Sequence, residues 1–101
     1  MAYYLVRAKP NGDLATLRRR LDSGEIQAMR PFGTALDYSL RNARLAADGY
    51  AVWEEEDYCT PPLNAERNAV LDTYFTDLSV EPVQAGDGWA KIEALPPLWR
   101  D

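Results

Sequence analysis

The chain has 101 residues, 47% of them hydrophobic and 27% charged, and its formal net charge at pH 7 is −5. This length predicts one domain over residues 1–101, because two halves would each bury too little apolar surface to fold alone. The absence of histidine and the single cysteine exclude Ser-His and Cys-His nucleophile pairs and an internal disulfide, and they argue against a zinc site. No dinucleotide or P-loop fingerprint is present, so we expect no cofactor and no metal.

Charge is distributed unevenly along the chain. Residues 1–47 carry eight Lys or Arg against four Asp or Glu, whereas residues 48–101 carry three against twelve. An acidic chain makes few phosphate contacts, so we expect no nucleic-acid partner; the two halves instead complement each other within the fold or across a dimer. No apolar run approaches the ~18 residues of a membrane span, and the first residues lack the features of a signal peptide. We therefore expect a cytoplasmic protein without membrane contact.

The first third of the chain is predicted to form a strand, a helix and a second strand. Apolar and polar side chains alternate over residues 2–9, which is typical of a strand. Asn11 or Asp13 can cap a helix that Gly24 ends in a left-handed turn. The apolar face of this helix is formed by Leu14, Leu17 and Leu21. Residues 25–32 then favour a second strand.

The middle of the chain predicts a helix, a strand and the longest helix. Apolar residues at helical spacing cover about 34–48, with Thr34 in a capping position. Residues 50–58, rich in aromatic and acidic side chains, are expected to form the third strand. Pro61 suits the first position of a helix, and an apolar stripe extends that helix to Leu78.

The last quarter predicts a β-hairpin followed by a packed tail. Residues 79–84 and 89–94 favour strands, and the Ala-Gly-Asp-Gly segment between them favours a tight turn. The tail, residues 95–99, is stiffened by two prolines, and we expect Trp99 to pack against the domain.

The predicted order is β-α-β-α-β-α-β-β, an α+β domain with a mainly antiparallel sheet and helices on one face. If the helix at about 34–48 is an insertion, the rest is βαββαβ with an extra strand, which is the ferredoxin-like arrangement. In length and element order the chain resembles the dimeric α+β barrels, and an uncovered sheet face also favours a homodimer. The His-Asp site of one branch of that group has no counterpart, because the chain has no histidine.

The candidate functional cluster lies where the third predicted strand meets the third predicted helix. It consists of Trp53, Glu54, Glu56, Asp57, Tyr58, Cys59 and Arg67, the last as the nearest basic partner. On a strand, Glu54 and Glu56 face one side and the other two acids of the run face the opposite side, so only two converge on a hard cation. An acid buried against Trp53 or Tyr58 could serve in acid–base chemistry. We favour a third interpretation, a solvated acidic edge strand that resists aggregation.

The function predicted from these features is binding rather than catalysis. Cys59 precedes a predicted helix N-terminus, but the neighbouring acids oppose a thiolate and no base is present, so we interpret it as an inert thiol. Without a catalytic, metal or nucleotide motif, the sequence favours a non-catalytic binding or protein-interaction module. The alternative is a small enzyme or ligand-binding barrel that uses carboxylate and tyrosine groups in a cleft near residues 53–59. The interaction module would bind another protein or a small molecule, and the enzyme or ligand-binding barrel would bind a small molecule.

Overall fold

The computed structural model describes residues 2–99 as four strands and four helices. The strands are β1 Ala2–Pro10, β2 Arg44–Leu45, β3 Ala51–Asp57 and β4 Phe75–Val83. The helices are α1 Leu14–Asp22, α2 Gly33–Arg41, α3 over residues 64–74 (Asn64–Glu66, a π-helical part Arg67–Leu71, and Asp72–Tyr74) and α4 Asp87–Ile92. All strand pairs are antiparallel in the order β2-β3-β1-β4, which confirms an α+β fold with an open antiparallel sheet. None of the described helices is long and apolar enough to cross a membrane.

The core lies on one face of the two central strands. Val6 opposes Trp53 and Ala8 opposes Ala51 in the β1–β3 register, and all four are fully buried. The rings of Trp53 and Phe75 lie 5.4 Å apart, centroid to centroid. Helices α1, α2 and α3 supply further large apolar side chains, namely Leu17, Leu21, Leu36, Leu40, Val70 and Leu71. Burial of each large side chain contributes about 1.5–3 kcal/mol, so this face holds the domain together.

Helix α4 packs on the opposite face of the sheet. Glu54 alternates with Trp53 along β3 and therefore points away from the core. Its carboxylate accepts hydrogen bonds from the backbone N–H groups of Gly86 at 2.9 Å and Gly88 at 2.8 Å. These donors lie at the start of α4, where N–H groups have no partner within the helix. Helices therefore lie on both faces of the sheet, where the sequence predicted one face only.

No strand forms between α1 and α2, in contrast to the strand expected over residues 25–32. This segment is a series of turns with local backbone hydrogen bonds, among them Met29 N–H to Ile26 C=O at 3.0 Å. Ile26 is the one buried side chain of the segment, so the segment has no alternating apolar face to place on a sheet. Helix α2 ends at Arg41 rather than near residue 48, and it follows α1 directly instead of being inserted between two strands.

The C-terminal part differs from the predicted hairpin. Helix α3 ends at Tyr74, and β4 covers Leu78 together with the first predicted hairpin strand. The second predicted hairpin strand, residues 89–94, is largely the helix α4. Leu78 fits the helical stripe, but the antiparallel pairing of β4 with β1 outweighs that local preference. The cap that Glu54 gives to α4 comes from a distant part of the chain, so local sequence does not reveal it.

Helix α2 takes the place of a strand along part of β3. Strand β2 pairs only with Ala51 and Val52, so the remainder of that side of β3 has no strand neighbour among residues 2–99. There the Ser39 hydroxyl of α2 donates a 2.8 Å hydrogen bond to the Glu54 carbonyl. The tail packs onto α2 as expected, because Trp99 Nε1 donates to a backbone carbonyl of that helix at 2.6 Å.

Candidate functional site

A cleft of about 650 Å³ lies beside the carboxyl-terminal half of β3. Its walls come from α2 and the turn before it, from residues 58–59, from the start of α3 and from Trp89 of α4. The cleft exists because β2 begins only at Arg44, opposite Val52, which leaves the residues of β3 after Val52 facing side chains rather than another strand.

Aromatic side chains form much of the wall. They are Tyr3, Phe32, Tyr38, Tyr58 and Trp89. The rings of Tyr38 and Trp89 meet edge to face, with centroids 6.2 Å apart and planes at 88°. Tyr38 is 60% exposed and Tyr58 is 70% exposed. Two open rings at the mouth of a cleft offer a surface for a ligand.

Two tyrosines hold Glu56 at this cleft. The Tyr3 hydroxyl donates to Oε2 of Glu56 at 3.2 Å, and the Tyr58 hydroxyl donates to Oε1 at 2.6 Å. Burial, followed by the charge of Glu56, raises the pKa of Tyr3. The hydrogen bond to Glu56 is the main reason that the pKa of Tyr58 is raised. Both hydroxyls therefore stay protonated and fix the position of a negative charge.

Glu54 also borders the cleft, but its carboxylate is engaged with α4. In addition to the two glycine N–H groups, the Trp89 N–H donates to it at 3.3 Å. The side chain is buried, with 5% exposure. Glu54 therefore acts mainly as a structural residue, because it fixes α4 and with it the Trp89 ring.

Asp57, Cys59 and Glu66 meet at the inner end of the cleft. One ligand atom of each lies within 4.8 Å of the other two. Asp57 accepts the Leu63 N–H at 2.7 Å, and the Cys59 thiol lies 3.8 Å from Oε1 of Glu66. Both acids are buried. The Ala65 N–H lowers the pKa of Cys59, but burial and the charges of the two acids outweigh it, so the net pKa is raised.

Glu55 lies behind this group and is fully buried. Its Oε1 accepts the Trp53 Nε1–H at 2.9 Å, whereas no donor within residues 2–99 reaches Oε2. Burial raises the pKa of Glu55 well above its ordinary value; the Trp53 hydrogen bond opposes this rise, and the charges of Glu66 and Asp57 add to it. Burial also raises the pKa of Glu66. Such a group is stable only if a proton or a cation reduces its negative charge.

The lining of the cleft is acidic as well as aromatic. Its carboxylates are Glu54, Glu56, Asp57 and Glu66, and no lysine or arginine occurs among the described lining residues.

Comparison of the chain with protein-family models, with curated proteins and with solved structures found no match. The geometry and charge of the cleft are therefore the evidence from which a function is inferred.

Most of the cluster predicted from the sequence reaches the cleft. The members that line it are Glu54, Glu56, Asp57, Tyr58 and Cys59. Trp53 instead lies in the core, and Arg67 pairs with the Asp72 carboxylate at 3.1 Å and does not line the cleft. Three of the four consecutive acids on β3 are buried, so the interpretation of this run as a solvated edge strand was wrong.

The candidate cluster left out the buried Glu55 and five of the lining residues on which the site depends. The five are Tyr3, Phe32, Tyr38, Glu66 and Trp89. A signal for Glu66 was present, because it falls at helical spacing with Leu63 and Val70 on the stripe that packs into the core. An acid on a buried helical face requires a partner, and that rule would have drawn attention to this residue.

Proposed function

We propose that the protein is a non-catalytic binding protein whose cleft holds a small organic cation. The observation that carries this proposal is the lining, which has five aromatic rings and four carboxylates but no basic side chain among the described residues. Aromatic faces attract ammonium groups, and carboxylates neutralise their charge. An anionic ligand would find no positively charged side chain among the described lining residues.

The expected contact surface is the Glu56 carboxylate with the rings around it. Tyr3 and Tyr58 hold Glu56 in place, and Tyr38 presents an exposed ring to the same cleft. Phe32 supplies apolar surface for the hydrocarbon part of a ligand. The volume of about 650 Å³ falls within the ~300–1,000 Å³ that is typical of small-molecule sites. A molecule that joins an ammonium group to an aromatic or aliphatic body therefore fits.

A matched pair of probes tests this proposal, namely phenethylammonium and neutral 2-phenylethanol, which share one hydrocarbon body. Isothermal titration calorimetry should show the cation binding roughly tenfold more tightly, a difference of about 1.4 kcal/mol. Glu56→Gln should remove most of that difference. Glu93→Gln, at an exposed position that does not line the cleft, should leave it unchanged. Equal affinity of the wild-type protein for the two probes would refute the proposal.

A second candidate function is a small enzyme that uses carboxylate and tyrosine groups in the same cleft. Glu55 and Glu66 favour it, because burial raises the pKa of both and a protonated carboxyl beside a cleft can act as a general acid. Turnover of a bound ligand that is lost in Glu66→Gln but retained in Glu56→Gln would favour the enzyme. Capture of a protein partner with no small-molecule binding would instead favour the protein-interaction module.

We also infer a ferredoxin-like arrangement and a homodimer. The strand order β2-β3-β1-β4, with helices between β1 and β2 and between β3 and β4, supports the first. The outer side of β4 has no strand partner among the described residues, which supports self-association. Sedimentation equilibrium at tens of micromolar would overturn the homodimer if it gave a mass near 11.4 kDa. The cytoplasmic location and the absence of a nucleic-acid partner stay predictions.

A further inference from the structure

We propose that Asp57, Cys59 and Glu66 form a site for a divalent transition-metal ion of the Zn²⁺ class at the inner end of the cleft. One ligand atom of each lies within 4.8 Å of the other two. Zinc bonds of about 2.0–2.3 Å place tetrahedral ligand atoms roughly 3.5 Å apart. Side-chain movements of about 1 Å would therefore complete the coordination. The acids are held on β3 and α3, and Cys59 lies on the turn that joins them.

The unpartnered Oε2 of Glu55 is an independent sign that a cation belongs here. Glu55 is fully buried, and Trp53 holds its other oxygen. Its carboxyl lies beside that of Glu66, and Oε2 has no donor in the part of the chain that the structure describes. Two ionised carboxylates side by side repel each other, so a shared proton or a bound cation must reduce their charge. A divalent ion bound to Glu66 is the form of this compensation that also uses Asp57 and Cys59.

The donor set favours a borderline metal over Mg²⁺ or Ca²⁺. Both of those hard ions prefer oxygen ligands alone, whereas a thiolate with two carboxylates suits Zn²⁺ and its neighbours in the first transition series. Three protein ligands leave a fourth tetrahedral position open. Because Asp57, Cys59 and Glu66 all line the cleft, that position faces the space where a water molecule or a ligand can enter.

Neighbouring groups hold two of the three ligands in place. The Leu63 N–H donates to Asp57 at 2.7 Å, and the Cys59 sulfur lies 3.8 Å from Oε1 of Glu66. Partners of this kind orient metal ligands in proteins. The sequence predicted no metal because it lacks histidine and a second cysteine. It does not reveal that the turn before α3 brings Glu66 next to the end of β3.

Co²⁺ is a suitable spectroscopic probe, because a cobalt–thiolate bond has a charge-transfer absorption that carboxylates do not give. The full chain, treated with a chelator and dialysed, should develop this absorption with one equivalent of Co²⁺, and Zn²⁺ should abolish it. Cys59→Ser should lack the absorption and should bind Zn²⁺ more than roughly tenfold more weakly by calorimetry. Glu66→Gln should weaken Zn²⁺ binding to a similar extent, whereas Glu93→Gln should have no effect.

The wild-type titration alone can refute the site, so the result does not depend on whether a variant folds. Absence of the thiolate absorption at saturating Co²⁺ would overturn the proposal. Zn²⁺ affinity that is equal in the wild-type protein and in Cys59→Ser, with unchanged circular dichroism, would do the same. The site does not rest on the organic-cation proposal, since phenethylammonium binding is measured separately in metal-free buffer.

Discussion

Replacement of Glu54 by alanine should destabilise the fold by about 3 kcal/mol. The carboxylate accepts three backbone N–H groups at the start of α4, those of Gly86, Gly88 and Trp89. Gly88 is buried, and a buried donor without a partner costs about 1–3 kcal/mol. The other two donors are partly buried and recover water, so each contributes roughly 0.5 kcal/mol. Together the three donors contribute about 2–4 kcal/mol, and we take the middle of that range as the expected loss.

Urea unfolding monitored by tryptophan fluorescence measures this effect, because the fluorescence of Trp89 reports on α4 and that of Trp53 reports on the core. The midpoint should fall while the slope m stays constant. Glu54→Gln keeps one acceptor oxygen but turns an amide donor toward an N–H group. Its free energy of unfolding should therefore fall by about half as much as that of the alanine variant. Glu93→Ala, at an exposed position, should change the free energy of unfolding by less than ~0.5 kcal/mol. A loss below ~0.5 kcal/mol in Glu54→Ala would show that the cap does not stabilise the fold.

Three further substitutions test other contacts, each by thermal or urea unfolding. Ser39→Ala should cost about 1–2 kcal/mol, because it leaves a buried carbonyl of β3 without its donor; an effect equal to that of the exposed control Thr34→Ala would contradict this. Gly33→Ala should cost more than ~2 kcal/mol, because the new Cβ would collide with the backbone carbonyl oxygens of Ile26 and Gln27 in a region that cannot move apart easily. A melting temperature of Gly33→Ala equal to that of the wild type would refute this expectation. Glu55→Gln in chelator-treated protein should raise stability by about 1 kcal/mol, because an amide removes a buried acid and can donate to its carboxylate neighbour; a lower melting temperature would show that the acid is needed for folding.

The elements that local sequence predicted well are those whose signals agree with their tertiary surroundings. Alternation over residues 2–9 predicts β1, Asp13 caps α1 through the Thr16 N–H, and Gly24 has the expected left-handed conformation with φ of 83°. Strand β3 and the existence of α3 were likewise predicted. In β1, α1 and α3 the apolar pattern marks the face that the fold buries, whereas β3 also buries three acids.

The elements that were missed depend on contacts between distant parts of the chain. Residues 25–32 contain strand-forming residues but only one buried side chain, Ile26, so no sheet face could form there. Helix α4 is six residues long and starts on a carboxylate supplied by β3, a cap that no local motif describes. The same limit applies to the site, since Glu66 and Tyr38 reach the cleft from helices that the sequence does not place beside β3.

The short β2 has a consequence for how the chain behaves when it is partly unfolded. Strand β2 pairs only with the first two residues of β3, so helix α2 covers the edge of the second half of β3. The Ser39 hydroxyl of α2 donates a hydrogen bond to a β3 carbonyl there. Local loosening of α2 would therefore uncover a strand edge next to the aromatic wall. An uncovered edge is a template for pairing with another chain. Aggregation during refolding should accordingly begin at this edge, and substitutions that tighten α2 against β3 should slow it.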